Sequence, residues 1–330
     1  MTSPLRVRSS SCGSLQRYER IEATLTQLNR RTAGDNTWFS RSGASSLEVL
    51  SRLEPRNIIP EILPTEDDVG RAMLKELDDL ARQKDGELVI VILGGRGAQA
   101  LHRFLGERAQ KADDLISRLH VFTQDGLAPM RKGSSLSFVR DFERLLGDAF
   151  FQQVRSFTTV RTDSDDLETE VRNYVEKLDS VGGADIFFLG HGPEAQSRSH
   201  LAYIKPQSGA RATDVAGLIP ISSTILEHHI TKFKAGGTSV SPDDEVECRR
   251  ATHIFTLGPD VILSSRRLVQ SIVDASTAPA KRTSYRRVLE ERLSNEPRAL
   301  EAQLDDNPGL WVRLHPSVRS LVLPDLFEST

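Results

Sequence analysis

The chain has 330 residues, a mass of 36.7 kDa, and 43 basic against 46 acidic residues, for a net charge of −3. This length suits one large domain or two small ones, and the 38% apolar and 27% charged residues are typical of a folded, water-soluble chain. The charge balance argues against nucleic acid as the main partner, because such proteins are usually clearly basic. The longest apolar run, residues 88–93, is far shorter than the roughly 20 residues that span a bilayer.

The chain has two cysteines, Cys12 and Cys248. Two thiols form neither a metal cluster by themselves nor a disulfide framework, so we expect a reducing compartment. We therefore expect a cytoplasmic protein that needs no metal and no other cofactor, binds no membrane, and has a small molecule as its partner. The sequence leaves a homo-oligomer open.

Residues 1–56 differ in composition from the rest. They contain nine arginines, no lysine and five acidic residues, a net charge of +4, and they are rich in Ser, Thr and Gly. This composition predicts a flexible N-terminal extension, with a mitochondrial transit peptide as the alternative. Trp38 and Phe39 are the residues in it that are able to dock onto a domain. We expect the domain itself to comprise residues 57–330.

From Pro60 onward, strand and helix patterns alternate. The spacing of Val69, Met73, Leu77 and Leu80 predicts an amphipathic helix over 67–84, and residues 88–93 read as a central parallel strand. Further helices are expected over 98–108, from 134 towards 146, over 165–178 and over 279–293. Further strands are expected over 119–123 and 184–189, near 218–221 and over 251–257. The pattern predicts an α/β fold, Rossmann-like, with a doubly wound, mostly parallel sheet and right-handed crossovers.

The segment Gly94-Gly95-Arg96-Gly97 separates the first strand from the helix that follows it. Glycines let backbone N–H groups approach an anion, and the start of a helix supplies positive potential. The segment matches neither the dinucleotide pattern G-x-G-x-x-G nor a P-loop. It is either an anion-binding loop or a plain turn between strand and helix.

Two further strand ends carry groups suited to proton transfer, and ligands of such sheets bind at the carboxyl ends of the strands. Asp125 follows the strand 119–123 and can act as a base if partial burial raises its pKa, although an Asp before Gly is also a common turn. His191 and His200 follow the strand 184–189 and are candidates for acid–base work, or solvated loop residues. We expect His228 and His229 to lie on the surface.

Five motifs in order resemble those of the glucosamine-6-phosphate deaminase and 6-phosphogluconolactonase superfamily, over about residues 61–323. They are Gly94-Gly95-Arg96, Phe122-Thr-Gln-Asp125, Leu189-Gly-His-Gly-Pro-Glu194 with His200-Leu-Ala-Tyr-Ile-Lys-Pro206, Thr256-Leu-Gly-Pro-Asp-Val-Ile-Leu-Ser-Ser265, and Lys281 at the start of a helix. The resemblance implies a phosphosugar as the ligand. It also implies two sets of site residues: Asp125, His200 and Glu194 for catalysis, and Gly94, Gly95, Arg96, Lys232 and Lys281 for substrate binding.

The sequence departs from the superfamily pattern at several of these positions. Four extra residues separate Pro193 from His200, Glu194 replaces an Asp, and Arg96 replaces a Ser or Thr. Lys232 is a weak match to a phosphate-binding arginine. Lys205 stands where deaminases have a Glu that assists ring opening, and we expect its charge beside His200 to weaken deamination of glucosamine 6-phosphate.

Three functions follow from these matches and departures. An isomerase or deaminase would use Asp125 to move a proton between neighbouring carbons of an open-chain phosphosugar and His200 to assist ring opening. A lactonase would use His200 to activate water and would not need the Glu replaced by Lys205. A silent phosphosugar-binding protein is the third possibility. The motifs favour an enzyme of carbohydrate metabolism with an altered substrate.

Overall fold

The computed structural model describes residues 28–235 and 239–328. Within this range, the side chains of Thr224, His228, Lys232 and Ala235 lie outside the description. In this part of the chain, no helix is long and apolar enough to cross a bilayer.

The strands are β1 (Leu28–Ala33), β2 (Asn36–Arg41), β3 (Glu61–Ile62), β4 (Leu88–Ile92), β5 (Leu119–Thr123), β6 (Asp125–Ala128), β7 (Ser156–Thr158), β8 (Ile186–Leu189), β9 (Gly192–Pro193), β10 (Ser199–His200), β11 (Asp214–Pro220), β12 (His253–Leu257), β13 (Arg267–Ile272) and β14 (Val318–Val322). The helices are α1 (Ser46–Leu50), α2 (Glu66–Gln83), α3 (Gln99–Gln110), α4 (Asp114–Ser117), α5 (Phe138–Gln153), α6 (Leu167–Ser180), α7 (Ser223–Ala235), α8 (Pro242–Arg249), α9 (Pro259–Ser264), α10 (Ala280–Glu290) and α11 (Pro297–Asp306).

A seven-stranded parallel sheet forms the centre of the molecule, in the order β3-β14-β13-β8-β4-β5-β7. The predicted α/β class with a mostly parallel sheet is thereby confirmed. Helix α2 begins at the N-cap Thr65, whose hydroxyl accepts a hydrogen bond from the Asp68 amide, and it packs the predicted apolar face inward.

Both faces of the parallel sheet are covered, as an unbroken apolar strand requires. On β4, Val89 and Val91 pack in the core that also contains residues of α6, whereas Leu88, Ile90 and Ile92 pack in the core formed with α2, α3 and α5. Successive side chains of β4 therefore point alternately into the hydrophobic cores on the two faces of the sheet.

A second sheet, antiparallel and five-stranded, has the order β1-β2-β11-β12-β6. Strand β6 corrects the predicted turn at Asp125-Gly126, because these residues pair with Thr256 and Phe255 of β12. The local turn signal of Asp-Gly is overridden by this tertiary pairing. Only Gln124 separates β5 in one sheet from β6 in the other.

Residues 28–56 belong to the folded unit, which differs from the flexible extension predicted for 1–56. Strands β1 and β2 form a hairpin, and β2 also pairs with β11. In that pairing, Trp38 of β2 lies opposite Gly217 of β11. Trp38 and Phe39 are completely buried, and the Trp38 indole donates to the Ser208 carbonyl at 2.9 Å. A Cβ at Gly217 would lie 2.7 Å from the Trp38 ring, so a glycine is needed there. Residues 1–27 lie outside the described residues.

We expect Trp38→Ala to lower the free energy of unfolding by about 3–5 kcal/mol, because it empties a fully buried site and leaves the Ser208 carbonyl unpaired. Urea unfolding at neutral pH measures this loss. Arg30→Ala is the control, since the Arg30 side chain in the same hairpin forms an exposed ion pair with Glu168, worth about 0–1 kcal/mol. Equal stability of the two variants would contradict the inclusion of the hairpin in the cooperative unit.

Candidate active site

The site lies at the carboxyl ends of β4, β5 and β8, where the parallel sheet meets the antiparallel one. These three strands are adjacent in the sheet. They lead into the glycine loop after β4, Asp125 after β5, and the segment beginning at Gly190 after β8. The groups that the sequence places at separate strand ends therefore share one edge of the sheet.

Asp125 is the first residue of β6 and is 93% buried, being 7% exposed. Burial raises the pKa of its carboxyl to about 7, although the Gln124 side-chain amide, which donates to its Oδ2 at 2.7 Å, acts in the opposite direction. Near neutral pH the carboxyl therefore exists in both protonation states, as a group that accepts and returns a proton requires.

The four additional residues before His200 form a hairpin. Strands β9 and β10 pair with His200 opposite Gly192 and Ser199 opposite Pro193. The turn is closed by the Glu194 amide, which donates to the Arg198 carbonyl at 2.7 Å. The four additional residues thus form the end of the hairpin, and the hairpin brings His200 next to Glu194.

His200 and Glu194 form a hydrogen-bonded pair, with 2.8 Å between Nδ1 and Oε1. This bond is the largest of the causes that lower the pKa of Glu194, which is therefore an ionised acceptor. An ionised acceptor at Nδ1 favours the tautomer with its proton on Nδ1 and a free lone pair on Nε2. The imidazole lies directly over the Cα of Gly192, where a Cβ would come within 1.9 Å of Nε2. Only glycine leaves room for the ring.

His191 lies in the interior rather than in a solvated loop. Its Nε2 is 2.8 Å from the Ser284 hydroxyl on α10, and its ring packs edge-on against Tyr285. Burial lowers its pKa well below the usual value, and the charges of Lys281 and His200 lower it further. His191 is therefore a neutral residue that connects α10 with the β8 end.

Lys281, in the first turn of α10, is buried and ion-paired with Asp274. Its charge acts on His191, which bonds to Ser284 on the same helix. Arg96, by contrast, pairs with Glu66 and keeps 43% of its side chain exposed, so its guanidinium is committed to the start of α2. Of Arg96 and Lys281, Lys281 is the buried cation.

Lys205 differs from the expected neighbour of His200. Its amine donates to the Pro220 carbonyl at 2.9 Å, and its charge acts on Glu194. Burial lowers the pKa of Lys205, and the Glu194 carboxylate raises it. Among the described residues, no contact joins Lys205 to His200. The direct effect of the Lys205 charge on His200 that we expected from the sequence therefore has no contact to support it.

Aromatic side chains cover the first residue of the glycine loop. The Phe138 ring lies against Gly94, where a Cβ would come within 2.6 Å of it. His229 and Phe233 of α7 pack on Phe138 with centroids 5.0 and 6.0 Å away. His229 is buried and bonds to the Leu136 carbonyl at 2.7 Å, which corrects its predicted surface position.

Lys232, predicted to bind phosphate, lies on α7, but its side chain is outside the described residues, as is that of His228. His200 bonds directly to Glu194, and the charges of His200 and Lys281 both act on His191, while Asp125 and the Gly94–Gly95 loop follow the adjacent strands β5 and β4. Within residues 28–235 and 239–328, no group of three or more His, Cys, Asp or Glu is arranged to hold a metal ion.

Two residues of the site, Gln124 and Tyr203, were not among the predicted site residues. Gln124 hydrogen-bonds Asp125, and its place between two strands of different sheets was hidden by the apparent turn. Tyr203 stacks on His200, with centroids 5.4 Å apart and planes 16° from parallel. An aromatic residue three positions after a candidate histidine was the available signal for it.

Comparisons with known proteins show which fold the chain has. No family model matches the chain. Glucosamine-6-phosphate deaminase 1 of Bacillus subtilis (strain 168) is 25% identical over 181 residues, which are 54% of this chain. The match spans 62% of that relative's own length.

Solved structures match over most of the chain. A monomeric glucosamine-6-phosphate deaminase superposes with a TM-score of 0.62 at 20% identity, covering 82% of this chain and 98% of that one. The 6-phosphogluconolactonase of Shewanella baltica OS155 gives 0.56 at 13% identity, with 81% and 97% covered. That of Leishmania guyanensis gives 0.56 at 16%, with 83% and 98% covered. The resemblance to this superfamily is confirmed, and the chain has its fold.

The raised pKa of Asp125 makes folding stability depend on pH. Since the folded-state pKa of about 7 lies above the unfolded value near 4, the contribution to stability is full below about pH 4 and is lost as the pH rises through about 7. We expect Asp125→Asn, which cannot ionise, to gain melting temperature relative to the native protein as the pH rises from 4 to 8. Thermal melts across this range measure the difference, with Asp148→Asn, an exposed carboxylate of α5, as the control. A difference that does not change with pH would contradict the raised pKa.

Proposed function

We propose that this protein is an enzyme that moves a proton between neighbouring carbons of an open-chain phosphosugar, in the manner of an aldose–ketose isomerase or amino-sugar-phosphate deaminase. The observation that carries the proposal is Asp125, a buried carboxyl with a pKa of about 7 at the strand edge that also holds the His200–Glu194 pair. Such a carboxyl is matched to proton transfer near neutral pH.

Asp125 would act as the base. Its carboxylate takes the proton from the carbon next to the substrate carbonyl, and the same carboxyl returns it to the neighbouring carbon. One base has to reach both carbons, which a carboxylate held rigidly at a strand end can do. The Gln124 amide fixes Oδ2 and leaves Oδ1 for the reaction.

The His200–Glu194 pair would handle the ring oxygen. With Nδ1 bonded to Glu194, Nε2 is the atom that exchanges a proton with the substrate. The ionised Glu194 stabilises the imidazolium that forms when Nε2 takes a proton. The carboxylate that deaminases place at the position of Lys205 is absent, so the pair works with one carboxylate, which supports a substrate other than glucosamine 6-phosphate.

The phosphate would lie between Lys281 and the Gly94–Gly97 loop. Lys281 supplies a buried positive charge, and the loop leads into the start of α3, where backbone N–H groups favour an anion. The Asp274 carboxylate holds the Lys281 amine in place.

The second candidate is a 6-phosphogluconolactonase-like hydrolase, favoured by the Lys205 position. In that reaction His200 activates water against the lactone carbonyl, and no proton moves between carbons. Asp125 is then dispensable, which separates the two candidates. A protein that binds phosphosugars without turnover is the third outcome.

We expect Asp125→Asn to lower kcat for phosphosugar isomerisation by about 10²–10⁴-fold, because it keeps the shape but removes the base. In the native enzyme, kcat/KM should rise with pH through about 7 as Asp125 loses its proton. Coupled assays on a panel of hexose and amino-sugar phosphates, with ammonia release for the amino sugars, measure both.

The control for this experiment is Asp148→Asn, which should leave the rate unchanged. Lactone hydrolysis is measured in parallel with His200→Ala. Loss of lactonase activity only in His200→Ala would support the hydrolase, whereas binding without any turnover would support the silent protein. Full isomerase activity in Asp125→Asn would contradict the proposal.

We expect Lys281→Gln to weaken binding of a phosphosugar by about 1–3 kcal/mol, the range for a charged hydrogen bond, and to leave binding of the unphosphorylated sugar unchanged. Lys84→Gln is the matched control, because Lys84 also pairs with a buried carboxylate, Asp185, at the start of β8. Calorimetric titration measures both ligands. Equal affinity of the native protein for sugar and phosphosugar would contradict a phosphate site.

A further inference from the structure

Tyr203 lies on a two-residue turn between Leu201 and Ile204, three residues after His200. Leu201 and Ile204 exchange both backbone hydrogen bonds, at 3.1 and 2.7 Å. Ala202 and Tyr203 have φ angles of 48° and 57°, in the left-handed region that such turns usually fill with Asn or Gly. Each side chain there costs about 1 kcal/mol or more of backbone strain.

The surrounding core holds this turn in place. Leu201, Ala202 and Ile204 are buried, and they pack in the same core as the second sheet. Because the core maintains the strained backbone of this turn, the turn fixes the direction of its partly buried side chain, that of Tyr203.

The Tyr203 ring stacks on the His200 imidazole, with 5.4 Å between centroids. The residue is only partly buried, and its hydroxyl has no hydrogen-bond partner among the described residues. The ring therefore fixes the plane of His200 on one side, while the Gly192 Cα supports it on another. The hydroxyl remains available to a ligand.

Asp125 lies within electrostatic reach of the same phenol. Burial raises the pKa of Tyr203, and the charge of Asp125 raises it further. The phenol consequently keeps its proton throughout the range in which Asp125 titrates. It is a neutral hydrogen-bond donor that stacks on the histidine and lies within electrostatic reach of the base.

We propose that Tyr203 is a further catalytic residue, whose hydroxyl donates a hydrogen bond to the substrate oxygen that becomes negative when Asp125 removes the neighbouring carbon-bound proton. This inference rests on the function proposed above. In the step, the C–H electron pair becomes the carbon–carbon π bond, and the carbonyl π electrons move onto oxygen. The carbon-bound proton goes to Asp125, which returns it to the former carbonyl carbon. In this second half, the hydroxyl on the carbon that lost the proton passes its own proton to the negative oxygen and becomes the new carbonyl, while Tyr203 keeps its proton throughout.

Such a donor stabilises charge that exists only in the transition state and the intermediate. Removing one donor of this kind typically lowers kcat by about 10²–10³-fold. The substrate carbonyl is nearly neutral before the reaction, so ground-state binding should change little.

The test compares Tyr203→Phe, which keeps the stacked ring and loses the hydroxyl, with the native enzyme and with Tyr285→Phe. Tyr285 is the matched control because its hydroxyl bonds to Ser320 in the core, at 2.6 Å. We expect Tyr203→Phe to lower kcat by about 10²-fold with KM within about threefold of native, and Tyr285→Phe to retain native kcat. Native kcat in Tyr203→Phe would overturn the inference.

A binding measurement separates this inference from the proposed function. A phosphorylated sugar hydroxamate, a planar anionic mimic of the enediolate, is titrated by calorimetry. We expect tight binding to the native enzyme and at least about tenfold weaker binding to Tyr203→Phe, with the affinity for the phosphosugar itself unchanged. Equal hydroxamate affinity of the two proteins would overturn the role of Tyr203 alone. Failure of the native enzyme to bind the hydroxamate would overturn the proposed function and this inference with it.

Discussion

The structure depends on one residue, Gln124, whose backbone bonds to both sheets. Its N–H donates to Ile92 of β4 in the parallel sheet at 2.9 Å, and its carbonyl accepts from Leu257 of β12 in the antiparallel sheet at 3.0 Å. With a single residue for the crossing, the chain cannot turn outward, so Asp125 is held between the sheets. Its burial, its raised pKa and its place beside the β8 loop all follow from this crossing.

Much of the parallel half was predictable because its signals are local. The alternating packing of residues 88–92 and the apolar spacing of α2 need no distant partner to be recognised. Asp125 and His200 were candidates for the same reason, since residues at the carboxyl ends of parallel strands share one edge. Their roles stay predictions.

The parts that escaped prediction depend on distant pairing. The β1–β2 hairpin has the composition of an unstructured segment, and what orders it is the burial of Trp38 against Gly217. The strand β6 shows a turn signal that pairing with β12 overrides. The bond between Glu194 and His200 required knowing that four additional residues form a hairpin, for which the turn residues Gln196 and Ser197 give no conventional signal.

The hairpin of β1 and β2 also has a kinetic consequence. Its indole bond to Ser208 joins residues 170 positions apart, whereas β4, α3 and β5 follow one another directly along the chain. Contacts between distant residues form late, because the intervening chain must first be ordered. During synthesis, the N-terminal strands must wait for β11 to leave the ribosome before their apolar faces are covered. Until then Trp38 and Phe39 are exposed apolar surface, which makes this the interval in which the nascent chain is most prone to aggregate.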